Sequence, residues 1–192
     1  MRRPTVLIAD DHPILMEGLV ALLRDRFDVV GAVNDGSQLV DEAIRLKPDV
    51  IVTDISMPGG SGMEALRRLR ALRSDARIIL LTMHANAAVV TEAMHAGASG
   101  YVLKQSPGDE LVSAIDEVLQ GRIYLTPALT QGVIAGMGAR TIAKILEAGP
   151  RPRVAAVLHA QDDPPVLRRW LAEHGWRIDA GRLAPEAGRY AE

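Results

Sequence analysis

Five short apolar runs rich in β-branched residues recur along the chain, with longer amphipathic stretches between them. The runs are TVLIAD (5–10), DVVGAV (28–33), DVIVTDI (49–55), RIILLT (77–82) and GYVLK (100–104). Apolar positions that continue without alternation suit strands buried on both faces, as in a parallel sheet covered by helices. Between and after these runs, apolar residues return at helical spacing. Leu15, Leu19, Leu22 and Leu23 mark one helical face, Leu39, Ala43 and Leu46 a second, and Leu66, Leu69 and Leu72 a third. Val89, Val90 and Ala93 mark a fourth, and Leu111, Ile115 and Val118 a fifth. Five strand–helix units in a row predict a doubly wound α/β domain with a parallel sheet over residues 1–128.

Residues 129–192 continue the alternation in shorter form. GVIAGMG (132–138) reads as a strand entering a glycine turn, ARTIAKILEAG as a helix stopped by Gly149 and Pro150, and RVAAVLHA (153–160) as a strand. PPVLRRWLAEHG (164–175) reads as a helix with proline in its first turn and glycine at its end. WRIDAGRL and GRYAE read as two closing strands, with Trp170 and Leu171 packing on the sheet and Trp176 capping an edge.

Composition narrows the function classes. With 48% hydrophobic and 24% charged residues, the chain can bury a real core. It has no cysteine, which excludes a disulfide framework, a thiolate zinc site and cysteine catalysis. Its longest apolar runs are too short to span a bilayer, and the opening MRRPTVLIADD meets acidic residues too early for a signal peptide, so a cytoplasmic protein is expected. Net charge is −2, and the region after residue 129 is only mildly basic. Nothing in that balance calls for nucleic acid, and DNA is not expected as a partner.

The candidate chemistry sits where the apolar runs stop. The first run ends in Asp10-Asp11, the third at Asp54, the fourth at Thr82 and the fifth at Lys104. In a parallel α/β sheet, functional groups collect beyond the carboxyl ends of the strands, so all five residues are predicted on one edge. An aspartate at a strand end is often only a helix cap, but three carboxylates on one edge repel unless a cation joins them. Oxygen ligands with room for water suit Mg²⁺. With a lysine and a hydroxyl beside them, the set suits phosphoryl transfer to a carboxylate, Asp54 being the nucleophile. His12 and His84 are expected as solvated loop side chains near this edge.

These segments carry a resemblance. ADDHP (9–13), VTDISMPGGSGMEAL (52–66), LLTMH (80–84) and AGASGYVLK (96–104) resemble the response-regulator receiver family over about residues 4–128. The likeness is to the NarL/FixJ-like class, through the segment GRIYLTPAL (121–129). It implies a flavodoxin-like fold, with Asp54 as phosphoacceptor and Asp10, Asp11, Asp54 and the Ser56 carbonyl as Mg²⁺ ligands. It further implies Thr82 as the switch hydroxyl, Lys104 as the phosphate-pairing amine, and Tyr101 as an aromatic that turns inward on phosphorylation. The implied partners are a sensor histidine kinase or a small phosphodonor, and a second copy bound through residues 86–120. Met83 is larger than the residue many receivers carry after the switch threonine, which predicts narrower access to the site.

VIAGMGARTIAKILEAG, LRRWLAEHGWRI and GRYAE, over about 131–192, resemble the C-terminal half of a bacterial tRNA (adenine-N1)-methyltransferase, a class I Rossmann-like fold. The half that would grip the cofactor is missing, so neither cofactor binding nor methyl transfer is expected. GMGARTIAKIL (136–146) superficially resembles the opening of a helix-turn-helix, but the prolines that follow break that pattern, and a degenerate DNA-binding module is the lesser alternative. LTPALT runs into QGVIAGMG without a Gly/Ser-rich linker, and the join reads first as an engineered chimera of two βα architectures, the alternatives being a recombined gene or a genuine output module of unfamiliar type.

Overall fold

The computed structural model describes residues 2–83, 86–106 and 108–127, together with Arg169 and Glu173. The strands are β1 (Thr5–Ala9), β2 (Asp28–Val33), β3 (Val50–Asp54), β4 (Arg77–Thr82), β5 (Gly100–Leu103) and β6 (Tyr124–Leu125). The helices are α1 (Pro13–Leu23), α2 (Gly36–Leu46), α3 (Gly62–Ala71), α4 (Ala87–His95) and α5 (Gly108–Leu119). All strand pairs are parallel, in the order β2-β1-β3-β4-β5-β6.

Because successive strand side chains point to opposite faces, the buried runs feed two separate core layers. Leu7, Ala9, Ile51, Ile78, Leu80, Tyr101 and Leu103 fill one layer, which also takes Leu39 and Val40 of α2, Leu66 and Leu69 of α3, and Val90 and Ala93 of α4. Val6, Ile8, Val50, Val52, Ile79, Leu81 and Val102 fill the other, with Leu19 and Leu23 of α1 and Leu111, Ile115 and Val118 of α5. Each fully buried Leu or Ile contributes roughly 1.5–3 kcal/mol of hydrophobic stabilisation. For β1, β3, β4 and β5 this double-sided burial explains the lack of polar alternation; β2, expected to be buried in the same way, is an edge strand in which only Val33 is buried.

Local signals set the helix starts. Asp35 caps α2 by accepting from Ser37 N at 2.7 Å. Ser61 and Glu64 form a reciprocal capping box at the start of α3, and Asn86 caps α4. Pro13 opens α1, where its missing N–H costs no bond.

The five expected strand–helix units are present, and residues 124–125 add a sixth parallel strand at the free edge of β5. Thr126 N donates to Tyr101 O, and Thr126 Oγ1 accepts from Leu103 N, so the edge is satisfied beyond the two-residue strand. Leu72 is not core: it is 58% exposed, since α3 ends at Ala71 and the chain turns away before completing the stripe. Arg169 and Glu173 are helical and exposed, inside the helix expected at 164–175. The remaining expectations for 129–192 fall outside the described residues. Among the described residues, no helix is long and apolar enough to cross a membrane.

Candidate functional site at the carboxyl edge of the sheet

The strand order reverses at β1, which lies between β2 and β3. The crevice beyond the carboxyl ends of β1 and β3 is therefore the place where an α/β sheet holds a ligand. Asp54 is the last residue of β3, and Asp10 follows β1 directly. Both are buried, their side chains 6% and 0% exposed. Lys104, just past β5, places its ammonium 2.6 Å from Asp54 Oδ2 and 2.8 Å from Asp10 Oδ2, with its own side chain 4% exposed. Lys104 N also donates to Thr82 O, which fixes the two strand ends to each other.

Asp11 is partly exposed at the mouth. His12 Nδ1 lies 2.9 Å from Asp11 Oδ1 and 3.1 Å from Asp10 Oδ1, and His12 N donates to Asp10 Oδ1. This Asx-type turn bends the chain from β1 into α1. The expectation of a solvated His12 holds only in part, because its ring is 65% exposed yet meets both carboxylates. His84 falls outside the described residues. The clue to His12 was its place directly after the acidic pair.

Electrostatics follow from this packing. Burial pulls the Lys104 ammonium down, but hydrogen bonds and charge attraction from Asp10 and Asp54 outweigh it, and its pKa rises above the usual value. Asp10, Asp11, His12 and Asp54 each offer one ligand atom, all within 4.8 Å of one another. Three carboxylates against one ammonium leave about two negative charges in a largely buried crevice, the balance a divalent cation would neutralise. Hard oxygen donors fit Mg²⁺.

The other site residues stand as follows. Thr82 ends β4, and Ser56 N donates to Asp54 Oδ1 at 3.2 Å. Tyr101 is fully buried, within the layer that holds Ile78, Leu80, Val90 and Met94. Burial pushes its phenol pKa up, while the nearby Thr82 side chain opposes the shift. In this structure the ring lies within that apolar layer. Met83 is 56% exposed, so its side chain is not packed into the end of the sheet.

Comparison with known proteins agrees with this geometry. Residues 6–116 match the response regulator receiver domain family, and residues 83–192 match the tRNA (adenine(22)-N(1))-methyltransferase family. The second match begins well before residue 131, inside the receiver. A βα unit buried on both faces satisfies either architecture, so α4, β5 and α5 can belong to both patterns. The chain is 37% identical over 131 residues to the transcriptional regulatory protein DegU of Brevibacillus brevis, covering 67% of this chain and 56% of that protein. It is 34% identical over 165 residues to the nitrate/nitrite response regulator NarL of Escherichia coli, covering 83% and 76%. The chain spans between 56% and 61% of the length of the first four curated relatives it matches.

Among solved structures, a LuxR-family two-component response regulator from Aurantimonas superposes with a TM-score of 0.65 at 37% identity, covering 69% of this chain and 96% of that one. RcsB dimers bound to two parallel DNAs match with a TM-score of 0.64 at 29% identity, covering 69% and 68%. The expectation that DNA is no partner therefore finds no support among the relatives. The chain belongs to the response-regulator receiver family, as a receiver domain of the NarL/LuxR class, and through residues 83–192 it also belongs by sequence to the tRNA (adenine(22)-N(1))-methyltransferase family.

Proposed function

We propose that the crevice accepts a phosphoryl group on Asp54 in a two-component phosphorelay. The observation that carries this reading is the buried triad of Asp10, Asp54 and Lys104, with Lys104 Nζ 2.6 and 2.8 Å from the two carboxylates at the switch point of the sheet. An Asp54 carboxylate oxygen attacks the phosphorus of an acyl phosphate or a kinase phosphohistidine. The bond from phosphorus to the donor breaks, the donor leaves with the electron pair, and Asp54 becomes an acyl phosphate. Mg²⁺, held by Asp10, Asp11, Asp54 and the Ser56 carbonyl, would neutralise charge on the phosphoryl oxygens.

Lys104 moves its ammonium from the carboxylates onto a phosphoryl oxygen. The Thr82 hydroxyl donates to another and so alters its relation to Tyr101. Because Tyr101 is already buried, the signal lies in the movement of Thr82 rather than in entry of the ring. The readout face is α4–β5–α5, which would pair with a second copy or another partner. Exposure of the full chain to acetyl phosphate and Mg²⁺ should add one phosphoryl group by intact mass, and Asp54→Asn should remove that gain.

Two further readings have specific support. The match of residues 83–192 favours a role for 129–192 as a methyltransferase-related segment without activity of its own, and calorimetry with S-adenosylmethionine tests it. The DNA-bound RcsB relative favours a DNA partner, which salt-dependent binding to a duplex would reveal.

A further inference from the structure

The segment after Asp54, residues 55–62, is gripped from two sides. On the near side, Gly62 N donates to Ile55 O, and a Cβ on Gly62 would stand 2.1 Å from the backbone oxygen of Asp54. On the far side the segment lies on the first turn of α2. Gly36 N donates to Pro58 O at 2.9 Å, and a Cβ on Gly36 would stand 1.7 Å from the Gly60 carbonyl oxygen. The Asp35 carboxylate, fixed as the α2 cap, fills the space a Cβ on Gly59 would need, with Oδ1 2.1 Å from that position. Gly59 and Gly60 adopt φ of +71° and +146°, conformations open to glycine, so this path of the loop is set by close backbone approach. Ser56 stands two residues before Pro58 and donates to Asp54 Oδ1. A shift imposed at Gly60 and Pro58 therefore reaches the carboxylate and the Ser56 carbonyl through a short, tethered path.

We propose that Asp35 and Gly36 are positioning residues for the phosphoacceptor loop, acting on Mg²⁺ binding and phosphoryl acceptance without touching the reacting atoms. This rests on the reading of Asp54 as phosphoacceptor. A displacement of about 1 Å in a reacting constellation can cost on the order of a hundredfold in rate. The added methyl of Gly36→Ala must displace backbone rather than a flexible side chain.

The test uses the full chain and two readouts, Mg²⁺ affinity by calorimetric titration and the single-turnover rate with acetyl phosphate. Gly36→Ala should weaken Mg²⁺ binding and slow phosphorylation by at least about tenfold. Gly18→Ala, which meets nothing within 4 Å, and Gly31→Ala, which meets only the ends of Leu46 and Leu7, should stay within about twofold of the parent chain. Asp35→Ala should lower both readouts about threefold and Asp35→Asn should restore them, because asparagine also caps a helix. A folded Gly36→Ala protein with both readouts within twofold of the parent overturns the proposal; if that variant does not fold, the same result for Asp35→Ala overturns it. A parent chain that gains no phosphoryl group refutes the phosphoacceptor reading instead, and the Mg²⁺ titration still decides the positioning role.

Discussion

Strand β3 carries an aspartate at each end, and the two live in opposite circumstances. Asp49, just before the strand, accepts from Thr5 N and Thr5 Oγ1, both at 2.8 Å, and pairs with Arg2. Partial burial opposes its ionisation, but these bonds and the arginine outweigh it and hold its pKa below the ordinary carboxylate value. One carboxylate meets one cation and two donors from Thr5, and nothing is left over. Asp54, at the other end, shares one ammonium with Asp10 while Asp11 stands nearby. Asp49 is a closed account of charge and hydrogen bonds, whereas the carboxyl edge is open by about two negative charges. Burial alone does not distinguish the two aspartates; the charge left uncompensated does.

The largest effect that would break this comparison is at Asp54 itself. Asp54→Asn should remove phosphoryl acceptance altogether while keeping the fold, and without Mg²⁺ it should unfold no earlier than the parent because it relieves repulsion. Next in size is Lys104. Lys104→Met leaves buried carboxylates without their cation and should cost about 3 kcal/mol in denaturant titrations. Millimolar Mg²⁺ should recover part of that loss by binding the folded state. If Mg²⁺ stabilises neither the parent nor Lys104→Met, the carboxyl edge is not a cation site.

Asp49→Ala should cost about 1–3 kcal/mol, because Thr5 N and its hydroxyl lose their acceptor, while phosphorylation stays unchanged. A large drop in phosphorylation would dissolve the contrast between the two edges. The smallest effect is in pH. Asp49 has a lowered folded pKa, so its stabilisation is complete above the ordinary value of 3.8 and is lost as pH falls below it through the folded value. The stability gap between the parent and Asp49→Asn should therefore narrow below that pH, and a gap constant down to pH 2 would contradict the assignment.

The legible parts of the molecule were those governed by local periodicity. Runs buried on both faces announced β1, β3 and β4 within one residue at either end, because no exposed position interrupts them. The carboxyl-edge residues were legible for the same reason: each ends a run, and a parallel topology brings run ends together. What escaped depends on distant partners. β6 is two residues long, and its identity rests on β5 and on Thr126 meeting Leu103 N, across 23 residues. The Thr5–Asp49 pair spans 44 residues and carries no motif. Tyr101 could be placed on its strand, but the core layer that holds its ring is assembled from several elements distant in sequence. Leu72 fitted the stripe of α3 and still faces water, because helix length is decided by the turn that follows.

On the proposed reading, the open charge at the carboxyl edge serves phosphoryl acceptance on Asp54. Intact mass of the full chain after incubation with acetyl phosphate and Mg²⁺ tests it most directly. The expected result is a single phosphoryl adduct that depends on Mg²⁺ and is absent in Asp54→Asn. A folded chain that gains no adduct, or an adduct that persists in Asp54→Asn, would contradict it.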